Sequence, residues 1–541
     1  MTKMHHQRRL ALKPSPSVIF PNNSNANADL DPVPFPNRTW TWYNVGGFWI
    51  AEGFSVAILQ AAGSIVSSGL SPGMAMGAIV LGNCLVMVPC ALTGYMGAKT
   101  GLNFPMINRA AWGLHGSKAA VAIRGIVAVF WYGVQASTGG DCVYAMLNAI
   151  APNLDRRVPN TLPASANITS VNLLCFFVFI ILSLPFHWIH ISKLRWLFLA
   201  KMIVIPIGSL ALFIWCLVAA HGFGPVFELP TNPTNGRSVA FLFFSAVTSA
   251  LGPQATFALN MGDVCRYAKS PRAAFWSQVV LLPVCITLTS FLGVVLASSA
   301  TVIYDLDEVP WNPLQVIALF DSRAAAFFLA LMFAFATLCT NIAGNSIAFG
   351  NDIGAIFPKY IDIRRGQFIC VVLGICVTPW NILASSTNFL TFLNGYSVFL
   401  GPLCGIMLTD FFLIRRQQLY LTQLYMQGGM YHYTRGWNFR AVVAFLLAVI
   451  PLLPGLAAAV NAESGIPVGF ANLYTMNWLS GVFIAATLYY AGSKVFPMRV
   501  KEVDAMESDP AWEYLHHGAV IHGVDADGPD EESVKRYAEK K

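Results

Sequence analysis

The chain has 541 residues, of which 56% are apolar and only 11% are charged, and its formal net charge is +7. Ordinary soluble domains carry roughly 25% charged residues, so this composition excludes a water-soluble fold. The basic residues are scattered among the polar gaps between apolar stretches, which indicates membrane topology and not a nucleic-acid partner.

Apolar stretches of membrane-spanning length recur from Asn44 to Ala491. They predict an all-α polytopic membrane protein with a transporter domain at residues 41–495. Residues 1–40 hold basic residues, an Asn/Ser/Asp run and prolines, so we expect a disordered cytosolic arm there. A cytosolic tail follows at residues 496–541. The 11 cysteines lie singly, which favours packing roles over disulfides or a metal site.

The hydropathy pattern predicts twelve spans: 44–68, 74–98, 119–149, 170–189, 195–220, 239–261, 276–303, 324–349, 367–386, 389–413, 441–460 and 477–494. With both termini in the cytosol, most lysines and arginines between the spans fall in cytosolic loops. This agrees with the positive-inside rule and supports the count. Asn167 begins a glycosylation sequon in a predicted outer loop, and whether it is glycosylated stays open.

Two predicted spans contain residues that interrupt helices. In the first, Gly46, Gly47 and Gly53 surround Glu52 and Ser55; the sixth contains Gly252-Pro253-Gln254. Proline removes a backbone donor, so we expect the sixth helix to be unwound in mid-membrane. Irregular backbone is tolerated there only around a cavity or packed protein, and matched breaks in two halves are typical of transporter sites built on inverted repeats.

Polar side chains within the spans are few and are the candidates for binding. Trp131 and Gln135 share one face of the third span and offer a ring surface and an amide to a flat heterocycle. Asn341 and Asn345 repeat this spacing in the eighth span. The alternatives are a packing tryptophan with a helix-bridging glutamine, and asparagines that bond neighbouring backbone.

Glu52 is the acid of the first span. Protonation would remove the desolvation cost of its charge, so it is a candidate proton carrier; the alternative is a structural partner for Lys201. The sequence shows no Walker loop, GxSxG motif or metal-ligand spacing. It therefore predicts neither ATP drive nor an enzyme, and no cofactor.

The chain contains several long motifs, which are NRTWTWYN, GLNFPMINRAAWGLHGS, FWYGVQAS, ALNMGDVCRYAK, ATLCTNIAGNS, TPWN, GPLCGIMLTDFFLIRR and YHYTRGWN. They resemble those of the nucleobase-cation-symport-1 family, whose members include permeases for uracil, allantoin, uridine and thiamine. The resemblance implies a LeuT-type fold with two inverted five-helix repeats, at about 44–220 and 239–413, and two further helices at about 441–494. It also implies a central site and transport by alternating access.

The resemblance assigns roles residue by residue. The substrate-binding candidates are Trp131, Gln135, Gln254, Asn345, Ser55 and Pro253. The cation or proton candidates are Ala51, Glu52, Phe54, Ala336, Cys339 and Thr340, and the gate candidates are Phe389 and Leu393. Cys339 replaces a serine of the bacterial sodium site, and sulfur is a poor ligand for a hard cation, which favours protons over sodium. Gln254 stands where the bacterial relative has a second tryptophan.

These observations lead us to expect a proton-coupled importer of a nucleobase-like heterocycle, such as uracil or allantoin, in the plasma membrane. The expected partners are this small substrate and the lipid bilayer. A uridine or thiamine-type permease of the same family is the first alternative. A nontransporting receptor with this fold is the second. The sequence leaves the exact substrate and the oligomeric state open.

Overall fold

Almost every regular element of the computed structural model is a helix. The structure describes residues 17–20, 23–189, 195–222, 227–232, 237–461 and 463–497, with Leu515 and residues 524–525 and 528–529. Most of the predicted tail at residues 496–541 therefore lies outside the described residues. In its described part, Val524–Asp525 pairs antiparallel with Gly528–Pro529.

The first half of the chain forms α1 Trp42–Gly53, α2 Val56–Ser67, α3 Pro72–Thr100, α4 Phe104–Trp112, α5 Gly116–Ile150, α6 Leu154–Arg157, α7 Ser170–Trp188, α8 Arg195–Ala219, α9 Val239–Ala255 and α10 Phe257–Cys265. The second half forms α11 Pro271–Ile303, α12 Pro313–Ile317, α13 Arg323–Thr340, α14 Ile347–Ile356, α15 Ile363–Cys376, α16 Ser386–Leu408, α17 Phe439–Val449, α18 Leu453–Val460, α19 Val468–Tyr474 and α20 Asn477–Val495. π-Helices at Asn341–Ser346 and Thr409–Ile414 extend α13 and α16. Short 3-10 helices lie at Ala28–Leu30, Phe35–Asn37, Ala164–Ala166, Pro379–Asn381, Thr422–Leu424, Met430–His432 and Ile450–Leu452.

Nine helices in the described part of the chain are long and apolar enough to cross a membrane, or ten if the bent pair α1 and α2 is one span. The predicted ninth and twelfth spans correspond to α15 and α20. α15 has 14 residues, fewer than a full crossing requires, and α20 carries polar residues at its ends, including Asn477 and Lys494. The chain is thus a multi-pass membrane protein, and the count of twelve stays a prediction.

The first span is broken, as its sequence predicts. α1 ends at Gly53, and Phe54 and Ser55 leave helical geometry with φ/ψ of −81°/79° and −134°/153°. α2 then continues at an angle of 54° to α1. A Cβ at Gly53 would lie 3.1 Å from that of Cys285, so the glycine lets α11 approach the break closely.

The sixth span breaks later than predicted. Gly252-Pro253-Gln254 was expected to be unwound, but Pro253 lies inside α9. Thr256, in the turn between α9 and α10, keeps helical φ/ψ of −68°/−43°, and the kinked residue is Asn260, with φ/ψ of −110°/16°. The Thr256 carbonyl accepts hydrogen bonds from Leu259 and Asn260 at 3.1 and 3.2 Å, which starts the new helix α10. A proline removes only its own backbone donor, and the rest of α9 keeps its helical hydrogen bonds.

The eighth span contains a feature that the sequence did not predict. Between α13 and α14 the backbone widens into the π-helix Asn341–Ser346. Such segments are rare and occur frequently at functional sites, because the wider turn redirects side chains. A buried ion pair between Arg124 and Asp352 ties the following helix α14 to α5.

The N-terminal arm differs from its prediction. Residues 1–16 lie outside the described residues, but residues 17–20 and 23–40 pack against the bundle and are not the disordered segment expected over 1–40. Ile19, Phe20 and Leu30 are buried, and the Phe20 ring lies 4.8 Å from that of Tyr425. Arg109 donates to the Asn25 carbonyl at 2.9 Å, and Tyr425 donates to that of Leu30 at 2.8 Å. The bundle supplies the apolar partners that the arm lacks by itself.

Asp31 makes the packing of this arm sensitive to pH. Its carboxylate accepts hydrogen bonds from the Ser17 hydroxyl at 2.6 Å and the Val18 N–H at 2.7 Å. Burial nevertheless raises the pKa of Asp31 from 3.8 to about 7. The packed arm therefore holds this proton more tightly than the released arm, and packing is favoured at low pH. That advantage is lost as the pH rises from 3.8 to about 7.

We expect proteolytic cleavage of the arm to accelerate as the pH is raised from about 4 to about 7, because ionisation of Asp31 opposes packing. Limited proteolysis of the purified protein across this range, with rates corrected for the protease's own pH profile, measures the effect. Asp31→Asn removes the titrating group and should flatten the profile. An unchanged profile in that variant would assign the pH dependence to another group.

Candidate substrate-binding site

A small internal cavity lies at the two broken spans. Its volume is about 40 Å³. It is lined by Trp49, Glu52, Ser55, Ala57, Ile58, Trp131, Gln135, Pro253, Gln254, Thr256, Phe257, Ile286, Thr340, Gly344 and Asn345. The structure thus brings all six substrate-binding candidates of the sequence to one place, from α1 and α2, α5, α9 and the π-helix of the eighth span.

Several polar atoms around this cavity lack partners. Gln135 Oε1, Gln254 Oε1 and Glu52 Oε2 are buried and make no hydrogen bond within the described part of the chain. The Nε1 donors of the lining residues Trp49 and Trp131 are unpaired as well. Buried polar atoms in native proteins are nearly always paired with protein or water, so this cluster of unpaired atoms indicates a place for a polar ligand. The volume admits water but not a heterocyclic ring, so a ring of that size requires the site to widen.

Aromatic rings lie at or beside the cavity that the side-chain amides of Gln135 and Gln254 line. Trp131 lies on α5, with its ring centroid 5.5 Å from that of Phe392 and 6.4 Å from that of Tyr396, both on α16. Trp49 and Phe257 approach each other at 5.7 Å and line the cavity from α1 and α10. Sequence reasoning missed these last two. Each lies close in sequence to one of the two helix breaks, and this position could have identified them as candidates for the site.

The predicted gate residues lie beside the cavity but do not line it. Phe389 and Leu393 are fully buried, so neither side chain faces lipid. The Phe389 ring lies 6.3 Å from Trp131 and stacks on Trp311 at 5.8 Å. Leu393 packs against Gly252 of α9, where a Cβ on the glycine would lie 3.1 Å from that of Leu393. Phe389 thus contacts Trp131 from α16, and Leu393 lies against the segment of α9 next to Pro253.

The predicted cation site contains a lysine side chain. Lys201 of α8 is fully buried, and its Nζ donates to Thr340 Oγ1 at 2.6 Å and lies 3.6 Å from Glu52 Oε1. Glu52 and Thr340 also line the cavity. Ala51, Ala336 and Cys339 are buried and Phe54 is half-buried, and these four do not line it. The Lys201 ammonium therefore places a positive charge at the Thr340 hydroxyl, which the sequence analysis had assigned to the cation or proton site.

Comparison with known proteins identifies the family. Residues 32–481 match a family described as permease for cytosine/purines, uracil, thiamine, allantoin. The chain belongs to this permease family. The allantoin permease of Saccharomyces cerevisiae is 32% identical over 88% of this chain and 76% of its own length. The uracil permease of the same yeast is 33% identical, with coverage of 88% and 77%. The purine-uracil permease of Arabidopsis thaliana is 32% identical, with coverage of 84% and 75%.

Solved structures show the fold of this permease. The inward-facing conformation of Mhp1 superimposes with a TM-score of 0.72 at 19% identity, covering 91% of this chain and 98% of that one. Mhp1 in a closed conformation with bromovinylhydantoin bound, described as a nucleobase-cation-symport-1 family transporter, gives 0.69 at 20% identity, covering 88% and 98%. The predicted LeuT-type fold is confirmed. The protein is a membrane transporter and not an enzyme.

The buried contact between Lys201 and Glu52 generates a stability prediction. Removing one partner of a buried ion pair leaves an uncompensated charge, at a cost of roughly 3–5 kcal/mol. Lys201→Met should therefore lower the thermal unfolding temperature of the purified protein in detergent. Adding Glu52→Gln should recover part of the loss, because the remaining charge is removed. Lys494→Met, at an exposed lysine, serves as control and should change little.

A double variant no more stable than Lys201→Met would contradict an electrostatic origin and would point to lost packing of the lysine side chain.

Proposed function

We propose that this permease imports a uracil- or allantoin-like heterocycle together with protons across the plasma membrane, by alternating access. The observation that carries the proposal is the convergence of the Trp131 ring with the amides of Gln135, Gln254 and Asn345 at two helix breaks. A flat ring with carbonyl and N–H groups suits this set, because the indole can stack while amides bond the ring edge. The printed substrates of the yeast relatives support the same class.

Proton coupling is favoured by the contacts of Lys201. Its ammonium donates a hydrogen bond to Thr340 and faces Glu52. The lysine therefore supplies the positive charge that a bound metal ion would otherwise bring to this site. Cys339 offers sulfur in place of a hard oxygen ligand. Glu52 keeps one oxygen unpaired at the cavity. In the proposed cycle, a proton neutralises Glu52 and weakens its attraction to Lys201, which links the charge state of the site to helix α8.

The proposed arrangement in the membrane follows the sequence. Two inverted five-helix repeats, at about 44–220 and 239–413, would place the two broken spans at equivalent positions, with further helices at about 441–494. Both termini would lie in the cytosol, which agrees with the distribution of lysine and arginine between the spans. The gate pair Phe389 and Leu393 would then move with α16 as the site opens. The bends in the first and sixth spans support this repeat scheme.

The binding role is tested by uptake of radiolabelled uracil, allantoin, uridine and thiamine in cells that lack their own permeases. We expect uptake of at least one heterocycle, and its loss in Trp131→Ala and Asn345→Ala because the stacking surface or the amide is removed. Trp276→Ala is the matched control, since Trp276 is 61% exposed on α11. Normal uptake by both site variants at normal surface abundance would refute the site.

Proton coupling is tested by removing, in turn, the proton gradient and the sodium gradient that could drive uptake. Wild-type accumulation should fall with a proton uncoupler and should not change when external sodium is replaced by choline. Glu52→Gln resembles the protonated carboxyl, so it should retain exchange of internal for external substrate while losing accumulation against a gradient. Loss of wild-type uptake on sodium removal, or uphill uptake by Glu52→Gln at the wild-type level, would exclude this role for Glu52.

A further inference from the structure

A chain of three polar groups runs from the backbone of α5 to the cavity. Asn341 Nδ2 donates to the Tyr132 carbonyl at 3.1 Å, and Asn345 Nδ2 donates to Asn341 Oδ1 at 3.0 Å. Both asparagines are buried and belong to the π-helix of the eighth span. Asn345 lines the cavity. The first asparagine of the motif therefore acts on the cavity through the second.

The order of donors and acceptors in this chain is fixed at one end. A backbone carbonyl can only accept, so Asn341 must turn its NH₂ group towards Tyr132 and its oxygen towards Asn345. That oxygen can also only accept, so Asn345 must turn its own NH₂ group towards Asn341. The Asn345 Oδ1 is left, and it accepts no hydrogen bond from the described residues. A side-chain amide can normally present either group, but this one is held as an acceptor.

We propose that Asn341 is a positioning residue that fixes Asn345 as a hydrogen-bond acceptor, and that the site thereby selects heterocycles with a ring N–H at this position. The inference rests on the proposed function and adds the polarity of the recognised ring edge. Rotating the Asn345 amide by half a turn would place its oxygen against the oxygen of Asn341. Rotating both amides would oppose the Asn341 oxygen to the Tyr132 carbonyl. Both arrangements place two acceptors face to face.

The other unpaired atoms at the cavity include both acceptors and donors. Gln135 Oε1, Gln254 Oε1 and Glu52 Oε2 are acceptors, and the Nε1 atoms of Trp49 and Trp131 are donors. A ureide or pyrimidinedione ring carries N–H groups and carbonyl oxygens on its edge and can match both, and the Asn345 oxygen requires one of its N–H groups. An analogue that lacks the matching N–H leaves a buried acceptor unpaired, and sites of this kind reject such analogues strongly. We expect a loss of about tenfold or more for a single N–H.

The test compares uracil with its two oxa analogues, in which a ring oxygen replaces N1–H or N3–H with little change in size. Each is used to compete with radiolabelled uracil uptake by the full-length protein in cells. For the wild type, at least one oxa analogue should compete about tenfold or more weakly than uracil. In Asn341→Ala the Asn345 amide is free to rotate, so the same analogue should come within about threefold of uracil.

Ser346→Ala is the matched control. Ser346 lies in the same π-helix, but its hydroxyl contacts the Ile342 carbonyl and Gln367 Oε1 at 3.2 and 3.3 Å and does not line the cavity. This variant should keep the wild-type discrimination even if its transport rate falls. The readout is a ratio between ligands, so a general loss of rate or of surface protein does not imitate the expected result.

Two results would overturn this inference and leave the proposed function intact. In the first, both oxa analogues compete with uracil uptake by the wild type as well as uracil itself does. In the second, Asn341→Ala reaches the cell surface and keeps the wild-type ratio between oxa analogue and uracil. The wild-type comparison needs no variant and stands even if Asn341→Ala fails to fold. Wild-type protein that neither takes up nor binds uracil overturns the choice of uracil in the proposed function and this inference with it, so the two failures are distinguishable.

Discussion

The architecture of this permease depends on how a helical bundle keeps polar atoms inside an apolar membrane. Lipid offers no hydrogen bonds, so backbone freed at a helix break must face protein or a polar cavity. The break after Gly53 and the turn at Thr256 between α9 and α10 both lie at the same cavity. The irregular backbone and the unpaired side-chain acceptors therefore occur together.

The ion pair of Lys201 with Glu52 extends this constraint to charge. A buried ammonium is tolerated only with partners, and here they come from α1 and from the end of α13. Three helices that are distant in sequence thus share one electrostatic contact beside the cavity. Any change in the charge of Glu52 alters the balance among them. This gives a physical route by which protonation could bias the relative position of α8 without a metal ion at the site.

Much of the site could be predicted from the sequence because its signals are local. Trp131 and Gln135 are one helical turn apart, and the glycines around Glu52 mark the first break. Other features depend on contacts between distant segments. The contact of Lys201 with Thr340 joins α8 to α13, and the burial of Phe20 depends on Tyr425, some 400 residues away along the chain. Local composition carries no information on such pairs, and this is why the arm was predicted to be disordered.

The size of the cavity constrains how the site can work. At about 40 Å³ it holds water but not a ring, and the Trp131 ring makes T-shaped contacts with Phe392 and Tyr396 of α16. In the proposed transport cycle, opening displaces side chains of α16, or α16 itself, while the asparagine chain on the π-helix stays anchored to the backbone of α5. The proposal thus divides two functions between elements. α5 and the π-helix would hold the hydrogen-bonding pattern that reads the ligand, and α16 would control whether a ligand can reach it.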